Sequence, residues 1–173
     1  MNVIQKYFRY RQSLIDQYVR GDMTKSEYLQ ANLDAVLALN IPPFRRIDSL
    51  DKGLYNYQYY NAMAKDARAF SSDYDDYELR REQLDESNYY YQQKDQATMA
   101  VLKLLDYQDI QAYFIAVRAS YLKGKLFEIV LEDHQMILHS ANALLLKRLR
   151  DEGVFTEGTR KSLIDGYINQ KYY

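Results

Sequence analysis

The two histidines and the carboxylates near them are the residues best suited to hold a metal ion. His134 and His139 are five positions apart, so they would lie on different faces of a helix. Glu128 and Glu132 are four apart and could share a cation with His134 only if the helix bends. Neither the His-x-x-x-His nor the Glu-x-x-His spacing of helical metal sites occurs. We therefore expect no metal and no other cofactor.

Covalent and phosphate chemistry lack their usual sequence signatures. The chain has no cysteine, which excludes thiol nucleophiles and disulfides. No Gly-x-Ser-x-Gly elbow and no glycine-rich phosphate loop occurs in the sequence. We assign no catalytic residue, and the sequence favours a protein that is not an enzyme without deciding the question.

Tyrosine is the most unusual part of the composition, with 19 tyrosines, six phenylalanines and no tryptophan. The other apolar residues are too few for an ordinary core, so some of these rings must be buried. Tyrosine is also enriched in binding surfaces, because its rigid ring gives a large contact area. The rings least easily placed inside are candidates for an interaction surface: Tyr55, Tyr59, Tyr89, Tyr90, Tyr172 and Tyr173. The alternative is that dispersed rings shield a thin core.

A second hypothesis is a small-molecule binder or enzyme with an aromatic pocket between helices. The residues that would line this pocket are Tyr57, Tyr60, Tyr113 and Tyr121, with His134 nearby. Helical bundles build such pockets from side chains on facing helices. A buried cavity with convergent polar groups would support this hypothesis.

Charged residues are unevenly distributed, although the net charge is only −1. Residues 73–95 carry eight carboxylates against three basic side chains, which makes either a solvated helix face or a docking surface for a basic partner. A third hypothesis is weak nucleic-acid binding through five basic residues: Lys6, Arg9, Arg11, Arg45 and Arg46. Because the whole chain is slightly acidic, nucleic acid is not the expected partner.

The first element that positions these residues is a helical hairpin over 2–39. Apolar residues recur at helical spacing on both sides of Gly21, which is placed to end the first helix with a left-handed cap. Thr24 and Glu27 have the spacing of a capping box, which would begin the second helix. These local signals agree on two antiparallel helices.

A proline-containing loop at 40–48 follows the hairpin, and Asp48 or Ser49 can cap the next helix. Long helices are predicted over 49–150, with a break near 71–73, and a last helix over 157–171.

The ambiguous stretch is 113–131. Phe127, Ile129 and Leu131 alternate with other residues as in a β-hairpin, but helical spacing continues through the segment and favours helix.

These elements predict an all-α fold: a single-domain antiparallel bundle of about six or seven helices over 1–173, with αα-hairpins at both ends. No apolar run approaches the ~20 residues of a membrane span, so we expect a soluble, cytoplasmic protein of bacterial type with no membrane partner. The leading hypothesis is a non-enzymatic module that binds another protein or itself, as in a homodimer, through exposed tyrosines. It assumes helix throughout, including 113–131.

Overall fold

The computed structural model describes residues 1–104 and three strands at 113–119, 125–131 and 136–140. Within these residues the chain forms, in order, α1 Val3–Arg20, α2 Lys25–Leu39, α3 Leu50–Ser71, α4 Tyr77–Leu104, β1 Tyr113–Ala119, β2 Lys125–Leu131 and β3 Met136–Ser140. The contacts divide the chain into two compact units, Met1–Ala100 and Val101–Tyr173. The single domain over 1–173 stays a prediction.

Local hydrogen bonds explain where α1 and α2 begin and end. Gly21 ends α1 in the left-handed region, at φ 82°, which glycine adopts without a steric penalty. Thr24 Oγ1 accepts the Glu27 amide at 3.2 Å, and the Glu27 carboxylate accepts the Thr24 amide at 2.7 Å. This confirms the predicted capping box. A second capping box, formed by Asn2 and Gln5 at the start of α1, was not predicted.

The proline loop is fastened to α3 by two polar side chains. Asn56 accepts the Phe44 amide at 2.8 Å and donates to the Phe44 carbonyl at 2.9 Å. The Tyr55 hydroxyl donates to the Ile41 carbonyl at 2.7 Å. Ser49, one of the two caps that the sequence predicts, is the N-cap of α3. The loop backbone therefore finds on α3 the partners that it lacks in regular secondary structure.

Tyrosine rings form much of the core of the first unit. Tyr7 and Tyr55 lie edge to face with their ring centroids 6.2 Å apart, and Phe44 contacts Tyr55 at 5.7 Å. Around them pack buried aliphatic residues from α1, α2 and α3: Ile4, Leu33, Val36 and Ala62. Edge-to-face ring pairs add to the stabilisation from buried area. The prediction that tyrosine supplies core area is confirmed.

Helix α4 lies against α3 through side chains spaced three and four apart. Ser87 donates to the Ala64 carbonyl at 2.9 Å, and the rings of Tyr90 and Tyr60 lie 6.4 Å apart. The Lys94 ammonium lies 5.6 Å from the centre of the Tyr57 ring. Residue numbers fall on α3 as they rise on α4, so the two helices are antiparallel.

The second unit contains an antiparallel sheet in the order β1-β2-β3. Its register places Ile115 opposite Ile129 and Val117 opposite Phe127. The prediction of helix through 113–131 is therefore wrong, and the alternative β-hairpin is present. Helical spacing in a short apolar run does not exclude a strand, and β-branched residues at alternate positions favour cross-strand pairing.

The all-α prediction is confirmed in part, because the first hundred residues form a helical unit. The number of six or seven helices stays a prediction. The last helix over 157–171 and the second αα-hairpin lie outside the described residues.

Candidate functional site

The predicted tyrosine surface does not form as proposed, because Tyr55 lies inside. Its side chain is 0% exposed and is surrounded by the rings of Tyr7, Phe44 and Tyr59. Burial raises the pKa of Tyr55 to about 12, so its phenol stays neutral and can donate to the loop carbonyl. The expectation that this ring lies outside is wrong, because the proline loop covers it.

Four other predicted tyrosines meet where α3 packs on α4. Tyr59 contacts Tyr60 at 5.5 Å between ring centroids, Tyr60 contacts Tyr90 at 6.4 Å, and Tyr90 contacts Tyr89 at 5.5 Å. Tyr89 is 54% exposed, whereas the other three rings are half-buried. The structure thus brings together Tyr59, Tyr89 and Tyr90 but leaves only one of them largely in solvent. Tyr172 and Tyr173 lie outside the described residues.

The predicted aromatic pocket is only partly described. Tyr57 is buried against Lys94, whereas Tyr60 borders a cleft of about 420 Å³ between α3, α4 and the proline loop. Amide side chains of Gln93 and Gln96 also line this cleft. The side chain of Tyr113 and the whole of Tyr121 and His134 lie outside what is described.

The predicted basic strip does not form a continuous exposed surface, because the Arg11 side chain is directed towards the core. Lys6, Arg9, Arg45 and Arg46 are exposed, but Arg11 is half-buried and its Nε atom is enclosed with no hydrogen-bond partner. Arg11 follows Ile4 and Tyr7 and precedes Leu14 at helical spacing, so it occupies a core-facing position. Nucleic-acid binding through the remaining residues stays a prediction.

A polar cleft of about 120 Å³ lies between α2 and α3. Its lining includes Asn32, whose Oδ1 accepts a 2.9 Å hydrogen bond from the buried Tyr7 hydroxyl. Lys65 also lines it, and burial together with the positive charges of Arg11 and Lys25 lowers the pKa of Lys65 to about 8. The cleft thus has one basic side chain from each of three helices in or near it.

Polar residues in and near this cleft lie on otherwise apolar helix stripes. Arg11, Asn32 and Lys65 each occupy a helix position three or four residues from a buried apolar side chain: Tyr7, Val36 and Ala62 respectively. A polar residue on an otherwise apolar stripe is an informative exception, because burying it requires a partner or a function.

Apolar side chains are exposed where α3 ends and α4 begins. We call residues 70–86 the hairpin end. Five of its large apolar residues are more than a third exposed: Phe70, Tyr74, Tyr77, Leu79 and Leu84, with Tyr77 at 75%. Seven carboxylates and two arginines lie among them. The arrangement combines apolar contact area with strong negative charge.

The described part of the chain has neither a cluster of metal-binding side chains nor a membrane-spanning helix. No group of three histidine, aspartate or glutamate side chains there is placed to hold a metal ion. No helix there is both long enough and apolar enough to cross a bilayer.

Comparison with known proteins gives a family but no activity. No curated protein and no solved structure shows detectable similarity to the chain. A family model described as a family of unknown function, DUF6648, matches residues 1–172. Because this match covers nearly the whole chain, the protein belongs to the DUF6648 family.

Proposed function

We propose that the protein is an interaction module that binds a second copy of itself, with the hairpin end of one copy docking on α1 of the other. The observation that carries the proposal is the exposure of Tyr77, Leu79 and Leu84 among carboxylates. The sheet removes the earlier assumption of helix throughout, so the proposal rests on α1, α3 and α4 alone.

The docking side of α4 has two adjacent stripes. Tyr77 and Leu84 are seven residues apart and therefore share a face, about 10 Å apart along the axis. Glu78, Glu82 and Asp85 follow helical spacing on the neighbouring face, and all three are exposed. A partner for this side needs apolar contacts at the same spacing and a row of positive charge beside them.

The outer face of α1 has that pattern with the opposite charge. Val3 and Tyr10 are seven residues apart and are each 48% exposed. Lys6 and Arg9 are exposed on the adjacent face. Opposite charge and equal apolar spacing give the two helices complementary surfaces, which favour specific association.

The test is a charge exchange measured by sedimentation equilibrium over a range of protein concentration. The wild-type chain is expected to dimerise more weakly as salt rises, since the pairing charges are exposed. Glu82→Arg is expected to weaken dimerisation at least tenfold, and the double variant Glu82→Arg/Arg9→Glu is expected to restore it. Asp34→Arg is the matched control, because Asp34 is an exposed carboxylate on α2.

Two results would overturn this proposal. One is a wild-type chain that stays monomeric at every concentration. The other is a double variant no better than Glu82→Arg alone, which would mean that these two helices do not meet.

A second candidate function is binding of a small molecule in the cleft beside Tyr60. Its volume of about 420 Å³ falls within the range of small-molecule pockets, about 300–1,000 Å³. Filling the cleft with Ala97→Phe should abolish binding of any small molecule that stabilises the wild-type chain in a thermal-shift screen. Stabilisation that survives this substitution would contradict the candidate.

A further inference from the structure

The cleft between α2 and α3 has positive charge that no described carboxylate neutralises. Lys65 lines it, Arg11 on α1 is close enough to act on Lys65 electrostatically, and Lys25 begins α2 beside the lining residue Ser26. Neither Lys65 nor Arg11 forms an ion pair within the described part of the chain. Three like charges held together without a counter-charge destabilise the empty cleft.

Asp66 in the lining and Glu27 next to the lining residue Ser26 form no ion pair with these basic side chains in the described part of the chain. The Glu27 carboxylate accepts hydrogen bonds from the amide and the hydroxyl of Thr24, each at 2.7 Å. Asp66 also lines the cleft, but burial and the nearby Glu86 carboxylate raise its pKa, whereas pairing with Lys65 would lower it. Neither carboxylate therefore compensates the basic cluster.

We propose that this cleft binds the phosphate group of a small molecule, with the lining residue Lys65 as the charged contact and the positive charge of Arg11 on α1 adding to the attraction. A phosphate carries up to two negative charges and accepts several hydrogen bonds, which matches one guanidinium and two ammonium groups. The amides of Asn32 and Asn61 in the lining are neutral hydrogen-bonding groups beside the charges. The volume of about 120 Å³ is too small for a nucleotide and suits a single phosphate or carboxylate group.

The arrangement has a consequence that a merely structural lysine would lack. An anion in the cleft would offset the repulsion of Lys65 by Arg11 and Lys25, so binding should stabilise the folded chain. Most core substitutions destabilise the folded protein, but replacing Lys65 by a neutral residue should stabilise it. A neutral residue at position 65 should stabilise the protein without phosphate, because no charged group is then buried away from water. The same substitution should abolish the stabilisation by phosphate.

The test is a titration of the full chain with inorganic phosphate and, separately, with acetate, at constant ionic strength set by chloride. Phosphate is expected to bind at least tenfold more tightly than acetate by calorimetry and to raise the thermal midpoint. Lys65→Met is expected to weaken phosphate binding at least tenfold while raising the midpoint without phosphate. Arg11→Gln is expected to weaken phosphate binding similarly, which provides a second variant should the first fail to fold.

Matched controls keep the same change of charge outside the cleft. Lys52→Met removes a lysine of α3 that pairs with Asp48, and Arg20→Gln removes an exposed arginine of α1 that pairs with Asp22. Both should bind phosphate as the wild type does. The proposal is overturned if phosphate does not bind, if acetate binds equally well, or if the controls lose as much affinity as Lys65→Met.

Discussion

Two six-residue stretches of helix show how little composition decides burial in this protein. Residues 53–58, GLYNYQ, lie in α3 and are all buried, although four of the six have polar atoms in their side chains. Residues 77–82, YELRRE, lie in α4 and are all exposed, although a tyrosine and a leucine are among them. The difference is in the neighbours: α3 is covered by α1, α2, α4 and the proline loop, whereas the start of α4 projects past most of them. Buried Tyr55 and Asn56 are stable because the hydroxyl of one and the amide of the other each have hydrogen-bond partners.

The largest expected loss of stability comes from a substitution in the buried stretch 53–58. Tyr55→Ala should lower the free energy of unfolding by about 3–5 kcal/mol, because it leaves a cavity among three aromatic rings. Tyr55→Phe should cost only about 1 kcal/mol, since it removes the hydrogen bond to the Ile41 carbonyl and keeps the ring. Urea unfolding followed by circular dichroism measures both. Equal losses for the two variants would show that the hydroxyl, and not the ring, stabilises this region.

The next effect is on the pH dependence of stability. Burial lowers the pKa of Lys94 to about 8 from 10.5 in spite of the neighbouring Asp95, and the pKa of Lys65 is also about 8. Between pH 8 and 10 the unfolded chain binds these protons and the folded chain does not, so the free energy of unfolding should rise with pH. Above pH 10 it should fall again, because burial raises the pKa of Tyr7 and the unfolded phenols ionise first.

Lys94→Met isolates one of these lysines. At pH 7 it should stabilise the chain by up to about 3 kcal/mol and reduce the rise between pH 8 and 10. Gln92→Met is the control, because Gln92 is exposed on the same helix and does not titrate. Denaturant unfolding at a series of pH values is the measurement. A Lys94→Met chain with an unchanged rise would mean that Lys94 is solvated when folded.

A smaller loss of stability is expected where Asn56 bonds the proline loop to α3. Asn56→Ala removes both hydrogen bonds to Phe44 and leaves the backbone amide and carbonyl without their partner, at a cost of about 2 kcal/mol. Asn88→Ala on the exposed side of α4 should change the free energy of unfolding by less than about 0.5 kcal/mol. Thermal unfolding of the two variants under one buffer compares them. A loss at Asn88 that equals the loss at Asn56 would contradict the contrast between the two helices.

The smallest effect on stability is expected on the exposed side of the comparison. Tyr77→Ala should change the free energy of unfolding of the monomer by no more than about 0.5 kcal/mol, because the ring is 75% exposed. The same substitution should weaken dimerisation if the hairpin end docks on α1. Urea unfolding at low protein concentration separates the two effects. A loss as large as that of Tyr55→Ala would show that Tyr77 is packed in the folded monomer.

Local chemistry was predictable from the sequence where the interacting residues are close in the chain. Gly21, Thr24 and Ser49 end or begin helices as expected, because each acts on the backbone within a few residues. The burial of Tyr55 was not predictable in the same way, because its hydroxyl bonds to a loop carbonyl fourteen residues away in the chain. Cross-strand pairing of 113–119 with 125–131 was missed for a related reason, because the apolar run fits both periods and the partner strand decides between them.

The candidate sites divide in the same manner. The acidic character of the hairpin end is evident in the sequence, because seven carboxylates lie within fourteen consecutive residues, 73–86. The cationic cleft was missed, because its three basic residues lie in separate helices, between positions 11 and 65. Only the folded arrangement of α1, α2 and α3 brings Arg11 and Lys65 together.

The burial of residues 53–58 in α3 determines which parts of the protein can unfold locally. Backbone amides at 54–58 have no face in contact with water, so their deuterium uptake should require unfolding of the whole unit. The turn at 72–76 is exposed throughout and should be the first place within residues 1–104 that a protease cleaves. A nick there would separate α3 from α4 in the chain while leaving the aromatic centre around Tyr55 assembled.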